Sequence, residues 1–294
     1  IRDSVRTMTR AGVLLLLAPL LVVGCERGGG GAGRSAEGLE AARALVESGE
    51  YDAALARLGE AEDAESLYLL GRAWAGKARL GGRPGSGGLS PEETQALQFL
   101  ERAVLARPDH AAAHLEMANL LAPHATAPPG DAPGPAGAAT PGVSVDRVLG
   151  AYGAAVQSDP ADTEAVEALI EFATRMGRLP AVEAGYREWM RRDRENAEIL
   201  VRFGDFLAGP GQDPEEARGV YAQALMWRPD DDATRLKIAD ISIEAARGHL
   251  ERDQYAAAEA RLREARKYVG TAPSPQATRL RDVEAKLANA SGRR

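Results

Sequence analysis

A chain of 294 residues with 45% hydrophobic content can bury the core of one or two domains. Only 5% is aromatic, and the apolar share is mostly Ala, Leu and Val, which suits helices packed through small residues better than a β-rich core. The net charge of −7 carries no basic bias of the kind that nucleic-acid binding requires, so no nucleic-acid partner is expected.

The first 24 residues read as a targeting segment. Ile1 is not an initiator, and Met8 is the expected start, preceded by an upstream extension. After Arg10 an apolar run reaches Gly24, broken only by Pro19. Such a run is short for a membrane span and matches the core of a signal peptide. It closes on Leu21-Val22-Val23-Gly24-Cys25, which resembles the lipobox of bacterial lipoproteins. The resemblance implies cleavage before Cys25, acylation of its sulfur and of the new N-terminus, and a membrane as one partner through those chains. Small uncharged residues fit the processing enzymes, and a thiol is soft enough to take the lipid. Cys25 is the sole cysteine, so no intramolecular disulfide is expected. Loss of residues 1–24 leaves a net charge of −9.

Residues 25–36 follow as a tether with Gly28 to Gly31 consecutive, too apolar-poor to fold. No Gly-Lys-Ser/Thr follows those glycines, so no nucleotide cofactor is expected there.

From Glu37 onward a skeleton recurs. An aromatic or Leu is followed by Ala three residues on, then an aliphatic residue, then Pro four later. Leu100, Ala103, Val104 and Pro108 fill these slots; so do Tyr152, Ala155, Val156 and Pro160, and again Tyr221, Ala224, Leu225 and Pro229. The prolines are 52 and 69 residues apart, one unit of about 34–35 plus an insertion and then two units. Gly49, Tyr51, Ala54, Leu58 and Ala61 repeat the second half of the pattern. Leu70-Gly71-Arg72-Ala73-Trp74, Phe203-Gly204-Asp205-Phe206-Leu207 and, more loosely, Met117-Ala118 to Leu121 supply its first half. These residues resemble the tetratricopeptide repeat (TPR), a helix–turn–helix unit of about 34 residues. The resemblance covers most of residues 37–270 and implies an all-α fold. It would be a right-handed α-solenoid of about six TPR-like helix pairs plus a C-terminal capping helix. Gly or Ala at the second slot lets paired helices approach, and Pro bars its predecessor from the helix.

The pairs are expected at 37–63, 64–110, 111–162, 163–196, 197–231 and 232–270, with a capping helix and tail in 271–294. The fourth pair has Gly177 at its turn and Trp189 where Ala is expected. The sixth has an overlong first helix, residues 231–250. Inserted loops at 79–91, 123–142 and 209–214 fall between the two helices of a pair and should therefore share one edge. The middle loop is expected to be disordered, rich as it is in Pro and Gly.

Catalytic and metal signals are thin. His110 and His114 are four apart, with Glu116 and His124 near, a spacing a zinc site could use. Packing and turn roles explain both histidines, and no metal is expected. Asp230-Asp231-Asp232 reads as a helix cap rather than a metal loop. No nucleophile elbow or Ser-His-Asp order stands out, so no enzyme, catalytic residue or cofactor is expected.

The resemblance implies a groove lined by the first helices. Its positions map to Tyr68, Arg72, Leu115, Asn119, Glu164, Glu167, Glu171, Glu198, Asp205 and Asp240. Tyr68, Leu115, Glu167, Val201 and Leu236 stand where the family's carboxylate clamp has Lys, so a clamp for peptide C-termini is not expected. The run of acids favours basic or neutral segments of protein partners. The function expected is that of a membrane-anchored interaction scaffold or adaptor in the bacterial cell envelope, on the periplasmic or outer-membrane face. The alternatives are an envelope substrate-binding lipoprotein or enzyme with a pocket built from the inserted loops, and a self-associating structural repeat protein.

Overall fold

The computed structural model describes residues 36–82, 88–126, 143–159, 161–270 and 273–291. The signal segment, Cys25, the glycine tether up to residue 35 and most of the middle inserted loop lie outside the described residues.

The described chain is a succession of helices, each packed on the next: α1 (Ala36–Glu47), α2 (Tyr51–Leu58), α3 (Ala64–Gly81), α4 (Pro91–Ala106), α5 (Ala111–Leu121), α6 (Val145–Ser158), α7 (Thr163–Arg175), α8 (Leu179–Arg192), α9 (Ala197–Leu207), α10 (Pro214–Trp227), α11 (Asp232–Glu251), α12 (Tyr255–Val269) and α13 (Pro275–Ser291). The most extensive packing joins α3 to α4, α11 to α12, α9 to α10, α5 to α6 and α7 to α8, which are the expected pairs. Six helix pairs and a closing α13 form an all-α solenoid. A two-residue parallel ladder, Ala125–Thr126 against Val143–Ser144, clasps the base of the middle insertion. The first insertion is narrower than expected, because α3 continues through Gly81. Among the described residues no helix is long and apolar enough to cross a membrane.

The repeat slots have a packing meaning. A Cβ added at Gly71 would lie 2.7 Å from Leu100 Cγ, and one at Gly204 would lie 2.4 Å from Tyr221 Cε1. The large residue of the second helix thus sits on the small residue of the first. The fourth pair inverts the scheme: Ile170 stands at the small slot, and Gly185 on α8 makes room for it, with a virtual Cβ 2.6 Å from Ile170 Cγ1. Tyr186 then turns onto the next pair, with its ring 5.4 Å from Phe203 and 5.9 Å from Phe206. Trp189 in the Ala slot is buried, and the α8–α9 contact is correspondingly thin.

Turns between helices follow local chemistry. The residues before Pro108 and Pro229, Arg107 and Arg228, are helix caps that leave the helical region (φ −142 and −127°), as steric conflict with a following Pro dictates. Asp193 adopts the same form (φ −130°) with Arg194 after it, so packing imposes the bend even without proline. In the pairs without insertions, Gly49, Gly177 and Asp253 are all left-handed (φ 82, 65 and 57°). Each is followed by the same crossed hydrogen bond, Glu50 to Leu45, Arg178 to Ala173 and Gln254 to His249, which closes a Schellman-type helix end. First helices start on side-chain caps: Asp63 takes the Ser66 amide at 2.9 Å, Asp162 the Glu164 amide at 2.8 Å and Asn196 the Ile199 amide at 3.3 Å. Asp231 alone of the aspartate triplet caps α11, accepting from the Thr234 amide (3.1 Å) and hydroxyl (2.7 Å).

A continuous core runs from Leu67 to Ile238. A second core, Ala239 to Val283, lies under the long α11 with α12 and α13. Residue Arg192, half-buried on α8, staples the pairs together: its guanidinium donates to the carbonyls of Val156 (2.7 Å) and Asp162 (3.0 Å). Burial lowers its pKa from the usual arginine value.

Candidate functional site

The groove positions do not form a bare acidic trough. Glu167 on α7 pairs with Arg202 on α9 at 2.9 Å, Asp205 on α9 with Lys237 on α11 at 2.5 Å, and Asp240 on α11 with Arg279 on α13 at 2.6 Å. Each carboxylate is thus met by a cation from the next first helix or, for Asp240, from the closing α13, giving a ladder along that face. Individually such exposed pairs contribute about 0–1 kcal/mol. Glu164, Glu171 and Glu198 are exposed and make no ion pair among the described residues. At the N-terminal end Arg72 lies over the Tyr68 ring (5.7 Å), and that ring in turn packs on His110 (4.9 Å). Leu115 belongs to the core at 9% exposure, so it offers a partner little surface. Asn119 is exposed and accepts from the Tyr152 hydroxyl at 2.8 Å. Burial pushes that phenol up to about 12, keeping it a donor.

Two of the mapped positions, Asp205 and Asp240, meet in a cleft of about 630 Å³ between α9, α10 and α11. Its walls are the Tyr221 ring, Ala208, Pro214, Ile241 and Ala245; its polar rim is Asp205, Glu215, Asp240, Glu244 and Lys237. Tyr221 anchors the floor. Its hydroxyl donates to Asp205 at 2.6 Å, and burial, then that hydrogen bond, holds the phenol well above its ordinary value. Lys237 lies over the same ring at 5.6 Å. Glu215 is held by Arg218 (3.2 Å) and Arg261 (2.8 Å), and Glu244 by Arg247 (3.1 Å), yet none of those guanidiniums lines the cleft. Lys237, the cation paired with Asp205, lies on the rim, whereas the arginines paired with Glu215 and Glu244 do not line the cleft.

The cleft exists because two irregularities meet. The 209–213 insertion sets the start of α10 back, and α11 runs 20 residues, far past the 11 of α9. Lys237, Ile241, Glu244 and Ala245 were not among the sequence-derived positions. Their spacing of three and four on an unusually long helix is the signal that could have found them.

The histidines do not gather. His124 Nε2 lies 2.9 Å from Glu93 Oε1, His114 Nε2 lies 2.9 Å from the Pro108 carbonyl, and Glu116 pairs with Arg79 at 2.5 Å. Among the described residues no group of three His, Cys, Asp or Glu side chains is placed to hold a metal ion.

No family model and no curated protein matches the chain. Solved structures with a similar run of helices include "YrrB: a TPR protein with an unusual peptide-binding site", at 12% identity and a TM-score of 0.39 over 84% of this chain and 99% of that one. Pseudomonas aeruginosa PilF is similar at 12% identity and a TM-score of 0.41 over 85% and 96%. MamA from Desulfovibrio magneticus RS-1 is similar at 18% identity and a TM-score of 0.40 over 66% and 96%. Likeness at this level carries nothing about ligand or activity.

Proposed function

We propose that this chain is a lipid-anchored TPR-type scaffold of the bacterial cell envelope that holds a protein partner without turnover. The cleft between α9, α10 and α11 carries the reading. It is an open site of about 630 Å³ with apolar walls and a carboxylate rim. Such a surface suits an extended or helical segment that places an apolar side chain against Ile241 and Tyr221 and a basic one against Glu215, Asp240 or Glu244. Binding would be modest in energy, steered by charge and weakened by salt. The Leu21-Val22-Val23-Gly24-Cys25 run supports the anchor, since two or three acyl chains at about 0.8 kcal/mol per buried methylene hold durably.

The test is in-cell photocrosslinking of the full lipidated chain with the photoreactive residue at Ile241, followed by mass spectrometry. One envelope protein enriched over a probe at the distant exposed Leu105, and lost on Glu244→Lys, supports the scaffold. Equal labelling from both positions refutes it. Fractionation of Cys25→Ser checks the anchor separately: release of the variant from membranes is expected, and a parent chain already found in the soluble fraction would sink that part.

A further inference from the structure

The turn joining the second helix pair to the third, Arg107–Pro108–Asp109–His110, buries two histidines. His110 is 5% exposed and His114 8%. His110 is the N-cap of α5, and its Nδ1 faces the Ala113 amide at 3.4 Å. A ring nitrogen that faces an N–H must carry a lone pair, so the neutral ring holds its proton on Nε2. Nε2 lies 3.5 Å from Glu65 Oε2 and makes no hydrogen bond. That carboxylate is already shared by Arg43 from α1 at 2.9 Å and Arg107 at 3.2 Å. The Tyr68 ring closes another side. Asp109 and His114 complete the ionisable surroundings; His114 donates from Nε2 to the Pro108 carbonyl, which leaves its own Nδ1 buried with no partner.

We propose that this turn is an acid-sensitive joint: a proton taken from solvent by His110 Nδ1 removes the α5 cap acceptor, sets N–H against N–H and loosens α5 on α3 and α4. The imidazolium would also stand at the positive end of the α5 dipole. Burial, then the Arg107 charge, lowers the His110 pKa from the ordinary histidine value. The folded state therefore binds fewer protons than the unfolded one. Stability is full above about pH 6.5, falls as pH drops through that value, and levels off below the lowered folded value. The joint carries the helix that presents Asn119 to the first-helix face, so its loosening would disturb that end of the groove.

The experiment follows the full chain from pH 8 to 5 by imidazole C–H NMR and by thermal unfolding, beside His110→Asn. Asparagine does not titrate and is a preferred cap. The expected result is a His110 signal that titrates below the unfolded-histidine midpoint. The parent should also lose more melting temperature on acidification than His110→Asn, with amide protection at residues 111–114 falling only in the parent. A His110 signal titrating at or above the unfolded midpoint overturns the proposal without any variant. So does a His110→Asn acid profile that superimposes on the parent's.

Discussion

Gly204→Ala puts the slot packing to a quantitative trial. The added Cβ would lie 2.4, 2.6 and 2.9 Å from Cε1, Cδ1 and Cζ of Tyr221, where contact distance is about 3.5–4.0 Å. The ring must move by about 1 Å, yet it is 2% exposed and tied by its hydroxyl to Asp205. Overpacking of this kind costs about 1–3 kcal/mol, and weakening a hydrogen bond to a carboxylate adds up to about 1.5 kcal/mol. Replacing a helical Gly by Ala returns about 1 kcal/mol of helix propensity. The net expectation is a loss of up to about 3.5 kcal/mol, each kcal/mol lowering the melting temperature of a chain of this size by about 2–4 °C. Gly219→Ala is the matched control: it lies inside α10, exposed, with nothing within 4 Å of a virtual Cβ, and should gain about 0.5–1 kcal/mol. Urea and thermal unfolding of both variants decide the matter. If Gly204→Ala is as stable as Gly219→Ala, the ring does not rest on the glycine. If Gly204→Ala is the less stable, a cycle with Tyr221→Ala should show the two sites coupled, since the small partner removes the clash.

Ala155→Leu and Ala224→Leu, at positions 0% and 2% exposed, should each lose about 1–3 kcal/mol by the same overpacking, read from denaturant midpoints. Asp253→Gly should raise stability by about 0.5–1 kcal/mol, because it places glycine at a left-handed turn where Gly49 and Gly177 already stand; a loss would mean that the Tyr255 contact to the Asp253 carboxylate outweighs backbone strain. For Tyr152, whose phenol is held at about 12, the folded state keeps a proton that the unfolded state releases near pH 10. Stability should therefore decline as pH rises from about 10 towards 12, and Tyr152→Phe should flatten that decline in alkaline thermal melts. Reversing Glu215 and Glu244 together to Lys should weaken a basic partner captured in the cleft between α9, α10 and α11, measured by pull-down at low and high salt; unchanged capture would move docking off the cleft.

Much of the fold is legible in one dimension because its rules are local. The spacing of Leu100, Ala103 and Pro108, or of Tyr221, Ala224 and Pro229, encodes which face is buried and where the helix ends. Those requirements belong to adjacent helices and recur with the repeat. The capping helix from Pro275 and the long helix before Leu250 follow from the same periodicity. Local rules also place Asp231 at the start of α11 and glycine at left-handed turns.

Pairing across the solenoid is not local. Ile170 looks misplaced until Gly185, on the other helix of its pair, is seen to receive it. The acids at 167, 205 and 240 read as a bare row, whereas Arg202, Lys237 and Arg279 meet them from helices 32 to 39 residues on. His110 reads as a turn residue, and only burial beside Tyr68 and Glu65 gives it a lowered affinity for protons. The cleft depends on how far α11 overshoots α9 once both are packed. Sequence alone determined the helices, their repeat and their small-to-large seams, because backbone sterics and side-chain volume act between near neighbours. Tertiary structure decided which charges are spent on one another and where an opening remains, because Coulomb and packing energies depend on distance in space.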